Sequence, residues 1–280
     1  MTFLRVAKHR GEVTLCELRK HRRYGSGRKI PYGLALQLIP KGTLDTSVPD
    51  GEGGFYRVYE LPEGVVETRS RIARVQREDV RLALMAAYLW AARASEVVGV
   101  ASGSDTTTPY GPRGADASEQ PYQPGRGEQP VRAAVFTVRT AKRGGRIRYV
   151  ALPLEQKYEP WAQPLLDYFK ARGQELAFPF TRQTLHSYAS EAFDGLTYGI
   201  EEQLIDGAKV PAHERGAGVH FLRHLRSSEL ASFYGFAREP AHLAYYCGWT
   251  LKSAGMSRTM CRYLDLSWQA YFGKLLIERA

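Results

Sequence analysis

Apolar residues that recur at helical spacing mark the most regular part of the chain, which begins near residue 77. Two adjacent faces of the helix predicted there are apolar, and they carry Val80, Leu84, Tyr88, Leu82, Met85 and Leu89. A helix with two apolar faces is buried over most of its surface, so we expect it to lie in the core. The sequence also predicts helices at residues 159–172, 182–193, 220–234, 239–247, 256–264 and 267–278.

Alternating side chains predict a β-hairpin in the middle of the chain. Residues 135–140 and 146–151 each alternate in character, and Arg143-Gly144-Gly145 provides a turn between them. Residues 31–62 combine Pro, Gly and short apolar runs, which favours strands or loops. Residues 101–131 are rich in Gly, Pro, Ser and Asp, which predicts a long exposed loop or a flexible insertion. The expected fold class is therefore α+β, mainly α, with one small antiparallel sheet.

The charge of the chain indicates a polyanionic partner. Its 280 residues carry a formal net charge of +10 at pH 7, and the pI is near 9.5. This balance favours nucleic acid or an acidic membrane surface as the partner. A cationic surface that only maintains solubility is the alternative. Residues 1–30 are especially basic, and we expect phosphate contacts from Arg19, Lys20, Arg22 and Arg23.

The composition disfavours several other classes of protein. The longest apolar stretch, residues 82–92, is too short to cross a bilayer, and no apolar run follows the first basic residues. Cys16, Cys247 and Cys261 are widely spaced and belong to no CxxC motif, so neither a disulfide framework nor a zinc site is expected. Binding to an acidic membrane surface is also disfavoured, because no basic amphipathic helix with a clean apolar face appears. We therefore expect an intracellular protein that binds neither a membrane nor a metal ion, with buried cysteines.

Four short segments combine residues that suit chemistry on a phosphate. They are Ala92-Arg93-Ala94-Ser95-Glu96, the hairpin tip with Lys142, the box His220-Phe221-Leu222-Arg223, and Gly248-Trp249 followed by Tyr263. In this order they resemble the tyrosine recombinase (phage integrase) family, over about residues 76–280. That family carries an arginine in a GLRxSEL-like segment, a lysine on a β-hairpin, an HxxR box, a Gly-His or Gly-Trp pair and a tyrosine.

The resemblance implies both a fold and a reaction. It implies a tyrosine recombinase-like catalytic domain at residues 76–280, in which residues 101–131 are a flexible insertion. Residues 1–75 depart from the family, because they do not look helical, and we expect a basic DNA-binding module there. The implied reaction cleaves and rejoins double-stranded DNA through a 3′-phosphotyrosine intermediate, in the integration or excision of a mobile element. Self-association on DNA, up to a tetramer, and the absence of any cofactor are implied with it.

The resemblance assigns six catalytic residues, which are Tyr263, Arg93, Lys142, His220, Arg223 and Trp249. Attack on a phosphodiester builds negative charge on its non-bridging oxygens, and the two guanidiniums can bind those oxygens with paired hydrogen bonds. Tyr263 is the expected nucleophile, and it needs a base such as His220 because a phenol has a pKa of about 10. Lys142 would protonate the leaving 5′-oxygen, and Trp249 would donate its indole N–H to the phosphate.

Several assignments keep an alternative at this point. Tyr271 is a rival nucleophile, and rival cations to Lys142 are Arg139 and Arg143. Arg143 and Arg146 on the hairpin are also candidates for DNA contact. Two other functions are open, a DNA-binding protein that keeps the fold without turnover and a type IB topoisomerase-like strand cleavage.

Overall fold

The chain folds mainly into helices. The computed structural model describes residues 2–6, 23–24, 28–29, 47–49, 55–59, 61–98, 111–140, 146–200, 203–205, 208–210, 213–249 and 267–278. The helices are α1 (Leu61–Ala73), α2 (Glu78–Leu89), α3 (Ala94–Val97), α4 (Ala162–Arg172), α5 (Arg182–Ala192), α6 (Val219–Ser232), α7 (Pro240–Cys247) and α8 (Gln269–Phe272). Short 3-10 helices lie at Gly114–Asp116, Phe236–Arg238 and Gly273–Leu275.

Antiparallel strands complete the fold. They are β1 (Thr2–Val6), β2 (Arg23–Tyr24), β3 (Arg28–Lys29), β4 (Ser47–Pro49), β5 (Phe55–Tyr59), β6 (Ala117–Tyr122), β7 (Val131–Arg139), β8 (Ile147–Pro153), β9 (Leu196–Ile200), β10 (Gln203–Ile205), β11 (Ala208–Val210) and β12 (His213–Gly216). One sheet has the order β6-β7-β8, and a second has the order β12-β9-β1-β5-β4. Two further pairs join β2 to β3 and β10 to β11. The predicted α+β fold, mainly helical with a small antiparallel sheet, is confirmed by β6-β7-β8, whereas the five-stranded sheet was not predicted.

The core is built around α2, whose residues from Leu82 to Leu89 are all buried, as predicted. The helix packs against α1, α4, α5 and α6. At its end the ring of Trp90 lies 5.3 Å from that of Phe136 on β7 and 5.7 Å from that of Phe169 on α4. Tilted and edge-to-face aromatic pairs at these distances add to the stability that burial provides. The C-terminal end of α2 is therefore held by helices and by the sheet, and this end leads directly to Arg93.

The hairpin of β7 and β8 is confirmed, with Val135 opposite Ala151. The expectation of a loop at residues 101–131 is wrong for residues 114–122, which form a 3-10 helix and the edge strand β6. Backbone pairing with β7 holds this strand, although its polar side chains give no alternating pattern. Residues 101–110 lie outside the described residues.

Two helices differ from the prediction. The helix expected at residues 267–278 is shorter, since α8 ends at Phe272 and a 3-10 turn follows. Helix α1 was not predicted, and its Val65 and Ile72 join the buried core. The core therefore begins before the boundary predicted between residues 75 and 76. The helix predicted at 256–264 lies outside the described residues.

Two smaller expectations concern cysteines and membranes. Cys247 is buried, as predicted, while Cys16 and Cys261 lie outside the described residues. Within the described part of the chain, every helix is too short or too polar to cross a lipid bilayer.

Candidate active site

The end of α2 determines where Arg93 stands. The N–H of Ala92 donates to the carbonyl of Ala87 at 2.9 Å, and the N–H of Ala91 donates to that of Tyr88 at 3.0 Å. These are the two hydrogen bonds of a Schellman motif, which requires a left-handed residue. Ala91 adopts that conformation with a φ of 47°, although glycine is the usual residue here. The chain then turns sharply, and α3 begins directly after Arg93.

Glu96 closes the start of α3 by binding Arg93 twice. The backbone N–H of Arg93 donates to Glu96 Oε2 at 3.2 Å, and its Nη1 donates to Oε1 at 2.8 Å. Glu96 is 3% exposed, whereas the side chain of Arg93 is 29% exposed. Arg93 therefore reaches from a buried carboxylate toward the surface.

Two further arginines meet the same carboxylate from distant parts of the chain. Nη2 of Arg148, on β8, lies 3.3 Å from Glu96 Oε2, and Nη1 of Arg223, on α6, lies 3.6 Å from it. We call Glu96, Arg93, Arg148 and Arg223 the Glu96 cluster. Burial alone would raise the pKa of Glu96, but the charges of Arg148 and Arg223 and the bonds from Arg93 hold that pKa below its usual value. Glu96 is thus an anion at neutral pH.

The buried arginines also bind the carbonyl ends of two helices. Arg223 donates to the carbonyl of Ala91, just after α2, at 2.7 Å, and to the carbonyl of Cys247, the last residue of α7, at 2.6 Å. Such carbonyls carry the negative end of a helix dipole and therefore stabilise a cation. Burial lowers the pKa of Arg223 to about 10, and Glu96 opposes that shift. Arg223 remains a cation at neutral pH.

Trp249 lies beside this cluster at the surface, and His220 is exposed on the helix that carries Arg223. Gly248 has a φ of 64° and ends α7 in a second Schellman motif, in which the N–H of Trp249 donates to Ala244. The ring centroid of Trp249 lies 5.8 Å from Cζ of Arg223, and Trp249 is 40% exposed. His220 is exposed one turn before Arg223 on α6. The Nε2 atoms of His220 and His224 are 3.1 Å apart.

Some of the predicted site residues come together in the structure, and others lie outside its described part. Arg93, Arg223 and Trp249 come together, with His220 one helical turn away. The predicted residues outside the described part of the chain are Lys142, Tyr263, Arg19, Lys20, Arg22 and Arg143. Arg23 belongs to β2, and its side chain is outside the description. The structure does describe the two residues on either side of the hairpin tip. The N–H of Thr140 donates to the carbonyl of Arg146 at 2.8 Å, Arg146 is exposed, and Thr140 packs against Gly248.

Two of the rival residues, Tyr271 and Arg139, have structural partners. Tyr271 is completely buried; its hydroxyl donates to the carbonyl of Tyr149 and accepts from the N–H of Ala151, both at 3.0 Å. It therefore binds the outer edge of β8 as another strand would. Burial raises the pKa of Tyr271 well above its usual value, which disfavours the phenolate that attack on a phosphate needs. Arg139 is bound to Asp116 at 3.0 Å.

Two members of the cluster were not predicted as site residues. Glu96 stands in the segment that carries Arg93, but the sequence gives no sign that it collects three cations. Arg148 has a clearer signal, since it alternates with Ile147 and Tyr149 and shares a strand face with apolar Val150. Ile147 and Tyr149 are exposed, so the strand turns its arginine toward the core.

Comparison with known proteins gives a plain result. No family model, curated protein or solved structure matches this chain. Among the described residues, no three His, Cys, Asp or Glu side chains are grouped so that they could hold a metal ion. Any function assigned to the chain rests on the geometry and charge of the Glu96 cluster and its exposed neighbours.

Proposed function

We propose that this protein cleaves and rejoins double-stranded DNA through a covalent phosphotyrosine, as a tyrosine recombinase-like enzyme. One observation carries the proposal. Arg93 and Arg223 are far apart in sequence, yet both form ion pairs with Glu96, at 2.8 Å and 3.6 Å, beside an exposed Trp249. Two arginines and an indole N–H at one place suit the non-bridging oxygens of a phosphodiester.

Charge supports the same proposal. Three guanidiniums around one carboxylate leave an excess of positive charge, in a chain whose net charge is already +10. Electrostatic stabilisation is strongest where water is excluded, and most of the cluster is buried. A fixed cationic cluster of this kind stabilises a transition state that gains negative charge.

The proposed reaction moves one phosphoryl group twice. The Tyr263 oxygen attacks the phosphorus, the bond from phosphorus to the 5′-oxygen breaks, and a 3′-phosphotyrosine forms. His220 accepts the phenolic proton, and Lys142 gives a proton to the leaving 5′-oxygen. In rejoining, a 5′-hydroxyl attacks the phosphotyrosine and releases Tyr263. Integration or excision of a mobile element, by protomers assembled on DNA, is the biological role we propose.

A randomised nicked duplex tests the proposal without a known target site. The protein is incubated with a pool of duplexes that carry a nick next to a random segment. After cleavage the short fragment with the 5′-hydroxyl dissociates at the nick, so rejoining is prevented and the covalent product accumulates. Adducts that survive SDS are recovered and sequenced. We expect wild-type adducts with a shared sequence, none from Tyr263→Phe, and a rate from Arg93→Ala that is lower by about 10²–10³-fold.

The other outcomes favour other functions. DNA binding without any adduct would support a non-catalytic DNA-binding protein. Relaxation of supercoiled plasmid without sequence preference would support topoisomerase-like cleavage. Arg132→Ala is the matched control, because its exposed side chain binds Glu119 on the sheet and lies outside the cluster. DNA affinity should fall steeply with salt in every variant, since phosphate contacts release counterions.

A further inference from the structure

We infer that Arg148 is a positioning residue, which holds the ends of α2 and α7 together and thereby sets the placement of Arg93 and Trp249. The inference rests on the proposed function for its catalytic consequence, and on geometry alone for the placement. Arg148 is 3% exposed, between the exposed Ile147 and Tyr149. A buried guanidinium is strongly unfavourable unless fixed partners compensate its charge.

The partners of Arg148 come from three elements. Its Nη1 donates to the carbonyl of Trp90, after α2, at 2.9 Å, and also to the carbonyl of Tyr246 in the last turn of α7. Its Nη2 donates to Glu96. One guanidinium therefore joins two helix ends and the start of α3. Arg93 lies three residues after Trp90, and Trp249 lies three residues after Tyr246, so this bridge contributes to fixing their separation.

Arg223 makes a parallel bridge, through the carbonyls of Ala91 and Cys247. In this structure the donors of Arg223 also bond carbonyls and Glu96, but its Cζ lies 5.8 Å from the ring centroid of exposed Trp249, so in the proposed reaction we assign the phosphate contact to Arg223. The donors of Arg148 are directed at carbonyls and at Glu96, below the surface. Arg148 can thus keep both helix ends in place while Arg223 binds the substrate.

Gly248 gives an independent sign of this role. A Cβ at position 248 would lie 2.9 Å from Nε of Arg148 and 3.0 Å from Cγ2 of Thr140. The φ of 64° also disfavours any other residue there. The Gly248-Trp249 turn therefore packs directly on the Arg148 side chain, and a side chain at position 248 would displace Arg148 or Thr140.

The test compares Arg148→Met with wild type, and Arg132→Met serves as the surface control. On the adduct-forming duplex recovered from the random pool, we expect the single-turnover rate at saturating DNA to fall ~100-fold, the loss that a displacement of about 1 Å can cause. The Kd for that duplex should rise far less than the rate falls, because the variant loses one charge of the cluster but keeps the other proposed phosphate contacts. Gly248→Ala should reproduce the loss, and the double variant should lose little more, since both act on one contact.

A second readout needs no DNA. The fluorescence of Trp249 is obtained as the difference between each protein and its Trp249→Phe counterpart. Acrylamide should quench this fluorescence more strongly in Arg148→Met than in wild type. Unchanged adduct rate or unchanged quenching in a folded Arg148→Met would overturn the inference. If Arg148→Met does not fold, Gly248→Ala decides by the same two measurements. A wild type that forms no adduct, with Trp249 displaced in Arg148→Met, would refute the proposed function and leave the positioning role standing.

Discussion

Replacement of Glu96 by glutamine tests the physical description of the cluster most directly. Glu96→Gln keeps the shape of the side chain and one oxygen for Arg93, but it removes the anion that three guanidiniums share. Two of these, Arg148 and Arg223, are each 3% exposed, as is Glu96 itself. Water therefore cannot replace the lost charge.

The expected cost follows from that burial. Removal of one partner from a buried ion pair lowers the free energy of unfolding by about 3–5 kcal/mol, mainly because a charge is left uncompensated. The helix-end carbonyls still bind Arg148 and Arg223 in the variant, so we expect a loss in the free energy of unfolding at the lower end of that range, about 3 kcal/mol. For a chain of this size the melting temperature should fall by on the order of 10 °C.

Denaturant and thermal unfolding of Glu96→Gln and Glu119→Gln measure this expectation. Glu119 also contacts two cations, Arg132 at 2.6 Å and Lys170 at 3.3 Å, but at the surface. Its replacement should change the free energy of unfolding by less than about 1 kcal/mol. Equal, small losses in the two variants would refute the claim that the Glu96 cluster is desolvated.

Three further expectations use the same unfolding and adduct assays. Tyr271→Phe should keep adduct formation and lose about 1 kcal/mol of stability, since its hydroxyl bonds only stabilise the edge of β8; loss of the adduct would make Tyr271 the nucleophile. Ala91→Gly should raise the free energy of unfolding by up to about 1 kcal/mol by relieving the left-handed alanine, whereas Ala87→Gly within α2 should lower it by about as much. Because the pKa of Glu96 is lower in the folded than in the unfolded chain, its stabilisation is present above pH ~4.5 and is lost as pH falls through the lowered pKa. Glu96→Gln should therefore show a shallower loss of stability in acid, and parallel curves for the two proteins would contradict this.

Much of the local structure could be predicted because it leaves a pattern of apolar and polar residues along the chain. Apolar spacing predicted α2, and alternation predicted the hairpin of β7 and β8. The tertiary context decided the rest. Helix α1 begins Leu61-Pro62-Glu63-Gly64, in which Gly64 lowers the helix propensity, and it is held by the burial of Val65 and Ile72. Strand β6 has no apolar alternation, and only its pairing with β7 defines it.

The site was predictable only where its residues stand in recognisable sequence segments. Arg93, Arg223 and Trp249 stand in recognisable segments, so their residue types could be singled out. The sequence places Arg148 on one strand face with Arg146 and Val150, which does not decide whether that face is buried, and its partners are backbone carbonyls, which no side-chain pattern reveals. The role of Glu96 depends on three arginines from separate elements meeting one carboxylate, and this convergence is a property of the folded chain.

A count of charges links the stability of the cluster to its proposed use. Three guanidiniums and one carboxylate leave 3 − 1 = +2. The ends of α2 and α7 each contribute about −0.5, so a net charge of about +1 remains, which one phosphodiester would neutralise. Glu96→Gln raises that remainder to about +2, so the variant should bind a short DNA duplex more tightly while it unfolds more easily. Fluorescence anisotropy at low salt measures the affinity. Weaker binding by the folded Glu96→Gln variant would mean that the cluster does not face the phosphate.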